Sequence, residues 1–256
     1  MRPESARTAL VTGATSGIGL ATAQELARLG FRLLVTGRRR ERLAALVAEL
    51  PAGAAHALAF DVRDHAAVDA AIGSLPPEWR RVDVLVNNAG NAHGRAPIDR
   101  DDVADWDAML DSNVKGLLYV TRAVLPLMPN DAGALIINLG SVAGYQAYPE
   151  GAVYCASKAA VAMLTHGMRL DLVGRGIRVA EVAPGAVETE FASVRFKGDE
   201  ARAAGVYAGW EPLQAQDVAE LIGFMATRPA RVNVAQVLLL ATAQASATLT
   251  RKDAPR

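Results

Sequence analysis

Short apolar runs rich in Val, Ile and Leu recur along the chain, separated by longer stretches in which apolar and polar positions mix. Residues 8–12 (TALVT), 31–36 (FRLLVT), 57–60, 82–86, 135–139, 177–182 and 236–240 read as strands. Their near-continuous apolar character, without strict alternation, marks strands buried on both faces. Helical spacing is read from the turn after residue 12 to about residue 29, and over 41–50, 68–72, 106–128, 152–173 and 216–227. Strand and helix alternating throughout predict an α/β chain, a single-domain Rossmann-type doubly wound parallel sheet of about seven strands with helices on both faces. No repeat, low-complexity tract or linker-like shift divides residues 1–256, and the core is expected over 8–240. The Ala-rich tail over 243–256 is expected to be a loose terminus.

Composition removes several function classes. The 27 Lys and Arg balance 27 Asp and Glu, so no global field points to nucleic acid or an anionic membrane. The apolar share of 51% excludes disorder. A single cysteine, Cys155, forms neither an internal disulfide nor a cysteine-based metal site. His56, His65, His93 and His166 show no paired metal spacing, so no metal is expected and they are read as surface or packing residues. No run reaches the ~18 apolar residues of a membrane span. The opening MRPESAR lacks an apolar signal core. A cytoplasmic protein without nucleic-acid or membrane partners is the expectation.

Residues 12–19 (TGATSGIG) join the first strand to the first helix, with glycines in the order G-x-x-x-G-x-G. Gly13, Gly17 and Gly19 allow a tight turn and close approach of backbone to a pyrophosphate, whose charge suits a helix N-terminus. Thr15, Ser16 and Ile18 lie in the same turn. The second strand then ends in Gly37, Arg38, Arg39 and Arg40, with no carboxylate before Glu41. An NAD site usually carries an acid there to hold the adenosine ribose. Guanidinium groups suit a 2′-phosphate instead. Cations at a helix start also oppose the macrodipole unless an anion stands before them. NADP is therefore favoured over NAD, with Arg38 the first candidate for the phosphate and Arg39 the second.

Tyr154 and Lys158 are four residues apart on a predicted helix, hence on one face. A free phenol titrates near 10, and a neighbouring ammonium favours the phenolate. Lowering that value by about three units corresponds to roughly 4 kcal/mol. In the reducing direction the same phenol donates its proton to a carbonyl oxygen. Ser141 follows a buried strand at its carboxyl end, where open α/β sheets bind ligands, and its hydroxyl suits a substrate oxygen. Asn113 falls inside a predicted helix despite a modest helix propensity.

These motifs together resemble the short-chain dehydrogenase/reductase family in its compact form. The resemblance covers about residues 8–240 and rests on the glycine turn, Asp61-Val62, Asn87-Asn88-Ala89-Gly90, Asn113, Ser141, Tyr154, Lys158 and Pro184-Gly185, all in the family's order. It implies that Tyr154 is the acid/base, that Lys158 lowers its pKa and binds the nicotinamide ribose, and that Ser141 holds the substrate oxygen. It implies that Asn113 extends a proton relay through a water, that Asp61 and Val62 flank the adenine, and that Asn88 lies along the cofactor. Pro184, Gly185, Val187 and Thr189 would line the nicotinamide, and the assembly would be a homotetramer built on the helices over 106–128 and 152–173.

Residues 117–126, 191–199 and 229–234 and the arginines after Gly37 are similar to the NADP-dependent branch acting on serine, allo-threonine and other 3-hydroxy acids. Arg195 or Lys197 would meet a substrate carboxylate, or both are surface residues of a lid. Tyr145 and Tyr148 line the pocket or pack near it. The segment 184–189 is a residue shorter than in that branch, with Glu188 where glycine is usual, and a carboxylate there would discourage acidic substrates. The expected reaction is reversible oxidation of a small 3-hydroxy acid. The alternatives are a reductase of another carbonyl (a 3-oxoacyl thioester or non-acid ketone) and a non-catalytic NADP-binding regulator. The presence of Ser141, Tyr154 and Lys158 together argues against the regulator.

Overall fold

The computed structural model describes residues 7–130 and 133–252. The central apolar runs become strands with no solvent-facing side, Val84, Leu85, Val86, Ile136 and Ile137 being completely buried, whereas the edge strands over 55–59 and 236–239 keep exposed positions. In chain order the elements are β1 (Thr8–Val11), α1 (Gly17–Arg28), β2 (Arg32–Gly37), α2 (Arg40–Glu49), β3 (Ala55–Ala59), α3 (His65–Gly73) and β4 (Val84–Asn87). They continue with α4 (Val103–Leu110), α5 (Leu117–Val124), β5 (Leu135–Leu139), α6 (Ala152–Leu172) and β6 (Arg178–Pro184). The rest are β7 (Val187–Glu188), α7 (Phe191–Arg195), α8 (Glu200–Gly205), β8 (Leu213–Gln214), α9 (Ala215–Ala226) and β9 (Gln236–Leu239).

Seven strands form one parallel sheet in the order β3-β2-β1-β4-β5-β6-β9. Alternate residues of each strand point to opposite faces, which produces two apolar layers. Val11, Leu33, Val35, Ile137 and Val182 pack with Leu26, Leu43 and Ile222 of α1, α2 and α9. Leu10, Leu34, Leu85, Ile136 and Val179 pack with Val68, Val120 and Leu172 of α3, α5 and α6. Strand order reverses between β1 and β4, and a cleft opens at that point beyond the strands' carboxyl ends, where such sheets take ligands.

The helix expected over 106–128 is four consecutive pieces. A π-helical turn over Asp111–Gly116 separates α4 from α5, and a 3₁₀ turn over Leu125–Leu127 follows because Pro126 cannot continue an α-helix. The π turn explains how Asn113 comes to lie inside a helix. The tail is a second correction. Residues 243–252 fold back on the molecule, with an antiparallel bridge between Gln244 and Thr250. Gln244 is buried, and its Oε1 accepts from the Ala186 amide at 2.9 Å. The remainder of the expected loose tail, 253–256, lies outside the described residues. Among the described residues no helix is long and apolar enough to cross a membrane.

Candidate active site

The glycine turn divides its work by position. Gly13 and Gly17 have φ of 67° and 51°, which a side chain resists. Gly19 serves packing: a Cβ there would lie 2.3 Å from the Gly13 carbonyl oxygen. Thr12 fastens the loop after β4 to this turn, its Oγ1 accepting from the amides of Asn88 (3.0 Å) and Ala89 (2.9 Å). Asn88 Nδ2 returns a bond to the Thr12 carbonyl at 2.8 Å. Ser16 is the N-cap of α1 but makes no side-chain cap bond. The positive end of α1 is left toward the cleft, where Gly17 and Ile18 line the wall.

Arg39, not Arg38, is the guanidinium fixed against this turn. It donates to Thr15 Oγ1 (3.0 Å) and Ser16 Oγ (2.7 Å). Arg38 lines the cleft beside it, is 69% exposed and approaches Asp61 only to 3.8 Å. Part of the anion expected before α2 comes from the protein. Glu190 accepts from Arg39 at 3.0 Å and from Arg42 at 2.7 Å. Those bonds hold the Glu190 carboxyl below its ordinary range. At Asp61 burial works upward, but the bonds from Arg63 outweigh it and the carboxyl is held down. Asp61 and Val62 line the same end of the cleft.

Ser141, Tyr154 and Lys158 meet at the cleft's centre, all buried. Ser141 Oγ accepts from the Ala143 amide at 3.1 Å, which fixes the hydroxyl at the end of β5. Tyr154 lies in the first turn of the 21-residue α6, where the positive helix end favours a phenolate. Asn113 stands behind them, outside the cleft lining. Its Nδ2 donates to Ser157 Oγ (3.0 Å) and the Asn91 carbonyl (2.8 Å). A Cβ on Gly90 would lie 2.9 Å from Asn113 Oδ1 and 3.6 Å from Lys158 Nζ, so that glycine lets the two groups converge.

The electrostatics correct one expectation. Burial pushes the Tyr154 phenol up, with Tyr148 adding to the rise, while a Ser141 hydrogen bond and Arg195 pull it down. Burial wins. Lys158 Nζ donates to the Leu139 carbonyl at 2.8 Å. Burial brings its own pKa down to about 8, against an opposing pull from Glu181. The protein's side chains thus hold Tyr154 as a neutral phenol, the form needed to donate a proton.

The lid candidates separate. Arg195 lines the cleft, with its Cζ 5.6 Å from the Tyr154 ring centre. It donates to Tyr148 OH (2.8 Å) and to the Gly94 carbonyl (3.2 Å). Lys197 does not line the cleft: with a φ of 54° its ammonium lies against Asp105 of the cleft wall, 2.9 Å distant. Glu188 also points elsewhere, accepting from Gln214 at 3.1 Å because β7 pairs with β8. His93, read as surface or packing, lines the cleft, and burial keeps its pKa low. Pro184, Gly185, Val187 and Thr189 line the wall that Gln244 braces. The whole cleft measures about 770 Å³, room for a dinucleotide and a small substrate.

The profile of the short chain dehydrogenases matches residues 7–200. The chain belongs to that family. Sulfoacetaldehyde reductase 2 of Chromohalobacter salexigens is 52% identical over 238 residues, 92% of this chain and 94% of the relative. The NADP-dependent 3-hydroxy acid dehydrogenase YdfG of Salmonella typhi is 45% identical over 241 residues, 94% of this chain and 97% of the relative. A closed form of serine dehydrogenase complexed with NADP⁺ superimposes with a TM-score of 0.91 at 42% identity, covering 96% of this chain and all of that one. This short-chain dehydrogenase is thus an α/β oxidoreductase with a seven-stranded sheet, in which the end of β5 and the start of α6 bring Ser141, Tyr154 and Lys158 to one cleft.

Proposed function

We propose that the enzyme uses NADP to interconvert the hydroxyl and carbonyl forms of a small acid whose anionic head lies one carbon from the reacting carbon. Serine, 3-hydroxypropionate and the alcohol of sulfoacetaldehyde share that spacing, with a carboxylate or sulfonate as the head. The observation that carries the reading is Arg195, a guanidinium anchored between Tyr148 and Gly94 and set beside the Tyr154 ring inside the cleft. Two of its five donors go to those anchors, and a planar fork suits either oxyanion. Glu188 faces Gln214, so the carboxylate that would have opposed an acidic substrate does not line the cleft.

The glycine turn and the start of α1 fit a pyrophosphate, and Arg39 with Arg38 fits a 2′-phosphate. The chemistry NADP supplies when bound is hydride transfer at the nicotinamide. In reduction Tyr154 donates its phenolic proton to the carbonyl oxygen, and in oxidation it takes that proton back. Ser141 holds the same oxygen. Lys158 steadies the charge on Tyr154 and holds the nicotinamide ribose, while Asn113 fixes the surrounding backbone and carries the relay outward. A homotetramer belongs to this reading. Met163, Leu170 and Val173, on or just after α6, are 70%, 67% and 74% exposed, apolar surface that assembly would cover.

The test is a cofactor-coupled assay of the purified protein, with NADPH and NADH against sulfoacetaldehyde, malonic semialdehyde and neutral aldehydes of like size, and with NADP⁺ and NAD⁺ against L-serine and 3-hydroxypropionate. Turnover confined to the anionic compounds with NADP is expected. Faster turnover of the neutral aldehydes would overturn the substrate reading.

A further inference from the structure

A row of polar side chains, buried except at its last member, crosses the sheet directly behind the catalytic residues. Asn87 of β4, Asn138 of β5, Glu181 of β6 and Gln236 of β9 stand opposite one another in register. They share the face covered by α5 and α6. Asn87 Nδ2 donates to Thr121 Oγ1 and Asn138 Oδ1, each at 2.9 Å, and Asn138 Nδ2 donates to Thr165 Oγ1 at 2.9 Å. The two asparagines strap the sheet to the helices, with the neutral Asn87 Oδ1 left without a hydrogen-bond partner. Glu181 is the acid of the row.

Glu181 is 2% exposed. Its Oε2 accepts from the Tyr145 hydroxyl, which in turn accepts from Gln236 Nε2. Its Oε1 is enclosed and has no hydrogen-bond partner. That oxygen takes the place of a side chain at Gly140, since a Cβ there would lie 1.9 Å from it. One residue earlier, the Leu139 carbonyl accepts the Lys158 ammonium. Carboxylate and ammonium therefore flank the same piece of backbone, residues 139–140, just before Ser141.

A carboxylate this deep is unfavourable unless a cation compensates it. The cations facing it are Lys158 and Arg169, both from α6; Tyr145 and Gln236 face it as neutral groups. Arg169 is committed to the carbonyls of Val179 and Ala235, at 2.9 Å each. The acid facing Lys158 is Glu181, and the phenol of Tyr154 is its neighbour on α6. We propose that Glu181 is a positioning residue of the active site, the buried counter-charge that keeps Lys158 an ammonium while Tyr154 exchanges its proton. The inference rests on the reading of Lys158 as the cation that supports Tyr154. Gly140 is then required because the carboxylate fills its side-chain space.

The sign of the effect follows from the pair. Burial lowers Lys158 to about 8, and Glu181 opposes that fall. Burial raises Glu181 on balance, and Tyr145, Lys158 and Arg169 limit the rise. Removing the carboxylate leaves the lysine with less reason to keep its proton, so it becomes neutral at lower pH. Glu181→Gln preserves size and removes the charge. The direct reading is the titration of Lys158 in the cofactor-free protein, by NMR of ¹³Cε-labelled lysine, with the signal assigned by its absence in Lys158→Met. The midpoint is expected to fall by about one pH unit in Glu181→Gln. The alkaline limb of kcat/KM for reduction of sulfoacetaldehyde or malonic semialdehyde, whichever is turned over, should fall with it. Tyr145→Phe should move both the same way by less, since Glu181 loses the donor that keeps it ionised. Tyr145 is 44% exposed, so this variant decides the matter if Glu181→Gln does not fold. An unchanged Lys158 midpoint in a folded variant overturns the inference. Full activity in Lys158→Met would instead overturn the reading on which it rests.

Discussion

The two ends of the cleft are built differently. At the cofactor end the walls are backbone: a turn with two positive-φ glycines, the open start of α1, and Thr12 clasping the amides after β4. Its turn and helix start come from the first two strands and the helix between them, with the segments after β3 and β4 set against them. At the substrate end the walls are side chains and loops that meet from distant parts of the chain. Arg195 reaches Gly94, 101 residues away, and Gln244 braces Ala186, 58 residues away. Backbone walls fix a shape common to many substrates, whereas side-chain walls can change identity without altering the fold. That difference explains how relatives named for sulfoacetaldehyde, for 3-hydroxy acids and for serine share one architecture.

Tyr154 stands where the two ends meet, and its removal should give the largest effect. Tyr154→Phe is expected to lower kcat by about 10²–10⁴-fold, the usual worth of a positioned acid/base, with NADPH binding by fluorescence titration nearly unchanged. A rate within a few-fold of wild type would take the phenol out of the mechanism. An intermediate effect should appear at the cofactor end alone. Arg39→Ala loses a charge-assisted contact of about 1.5–3 kcal/mol, hence roughly 10–100-fold in NADP affinity, with NAD affinity unmoved. Arg38→Ala should do the same to a smaller degree, because Arg38 is not anchored on Thr15 and Ser16. Equal losses for both cofactors would place the phosphate elsewhere. The smallest effect is expected at Lys197, whose exposed ammonium pairs with Asp105. An ion pair of that kind contributes about 0–1 kcal/mol, so Lys197→Ala should change KM by less than about threefold. A large rise in KM would restore Lys197 as a substrate contact.

The sequence made the cofactor end legible because its evidence is local. Glycine spacing, the arginines after β2 and the four-residue step from Tyr154 to Lys158 are each contained within a single turn or helix. The order of strands and helices was equally plain from uninterrupted apolar runs. What escaped depends on contacts between distant residues. Nothing near Lys197 announces the positive φ that turns it toward Asp105, and nothing near Glu188 announces the pairing of β7 with β8. Gln244 looked like part of a loose tail, although it braces the wall beside Pro184 and Gly185. His93 looked like one scattered histidine among four, and only the fold carries it into the cleft. Which of Arg38 and Arg39 reaches Thr15 and Ser16 is likewise decided by the fold, not by any local signal. Glu181 did leave a local signal, a lone acid within the apolar run of β6. Its meaning required Gly140 and Lys158 to be seen beside it. At Tyr154 charge and burial compete: in the cofactor-free protein burial raises the phenol, whereas the lower value expected of it belongs to Lys158 acting together with a positively charged oxidised nicotinamide.

The central claim is that Arg195 selects an anionic substrate and presents it to Tyr154. The most direct measurement compares kcat/KM of wild type and Arg195→Met for the anionic aldehyde that is turned over and for a neutral aldehyde of equal length, with saturating NADPH. The account predicts that the variant loses about 100-fold on the anionic aldehyde, in keeping with a charge-assisted forked contact, and little on the neutral one. Equal losses on both, or an intact preference for the anion, would contradict it.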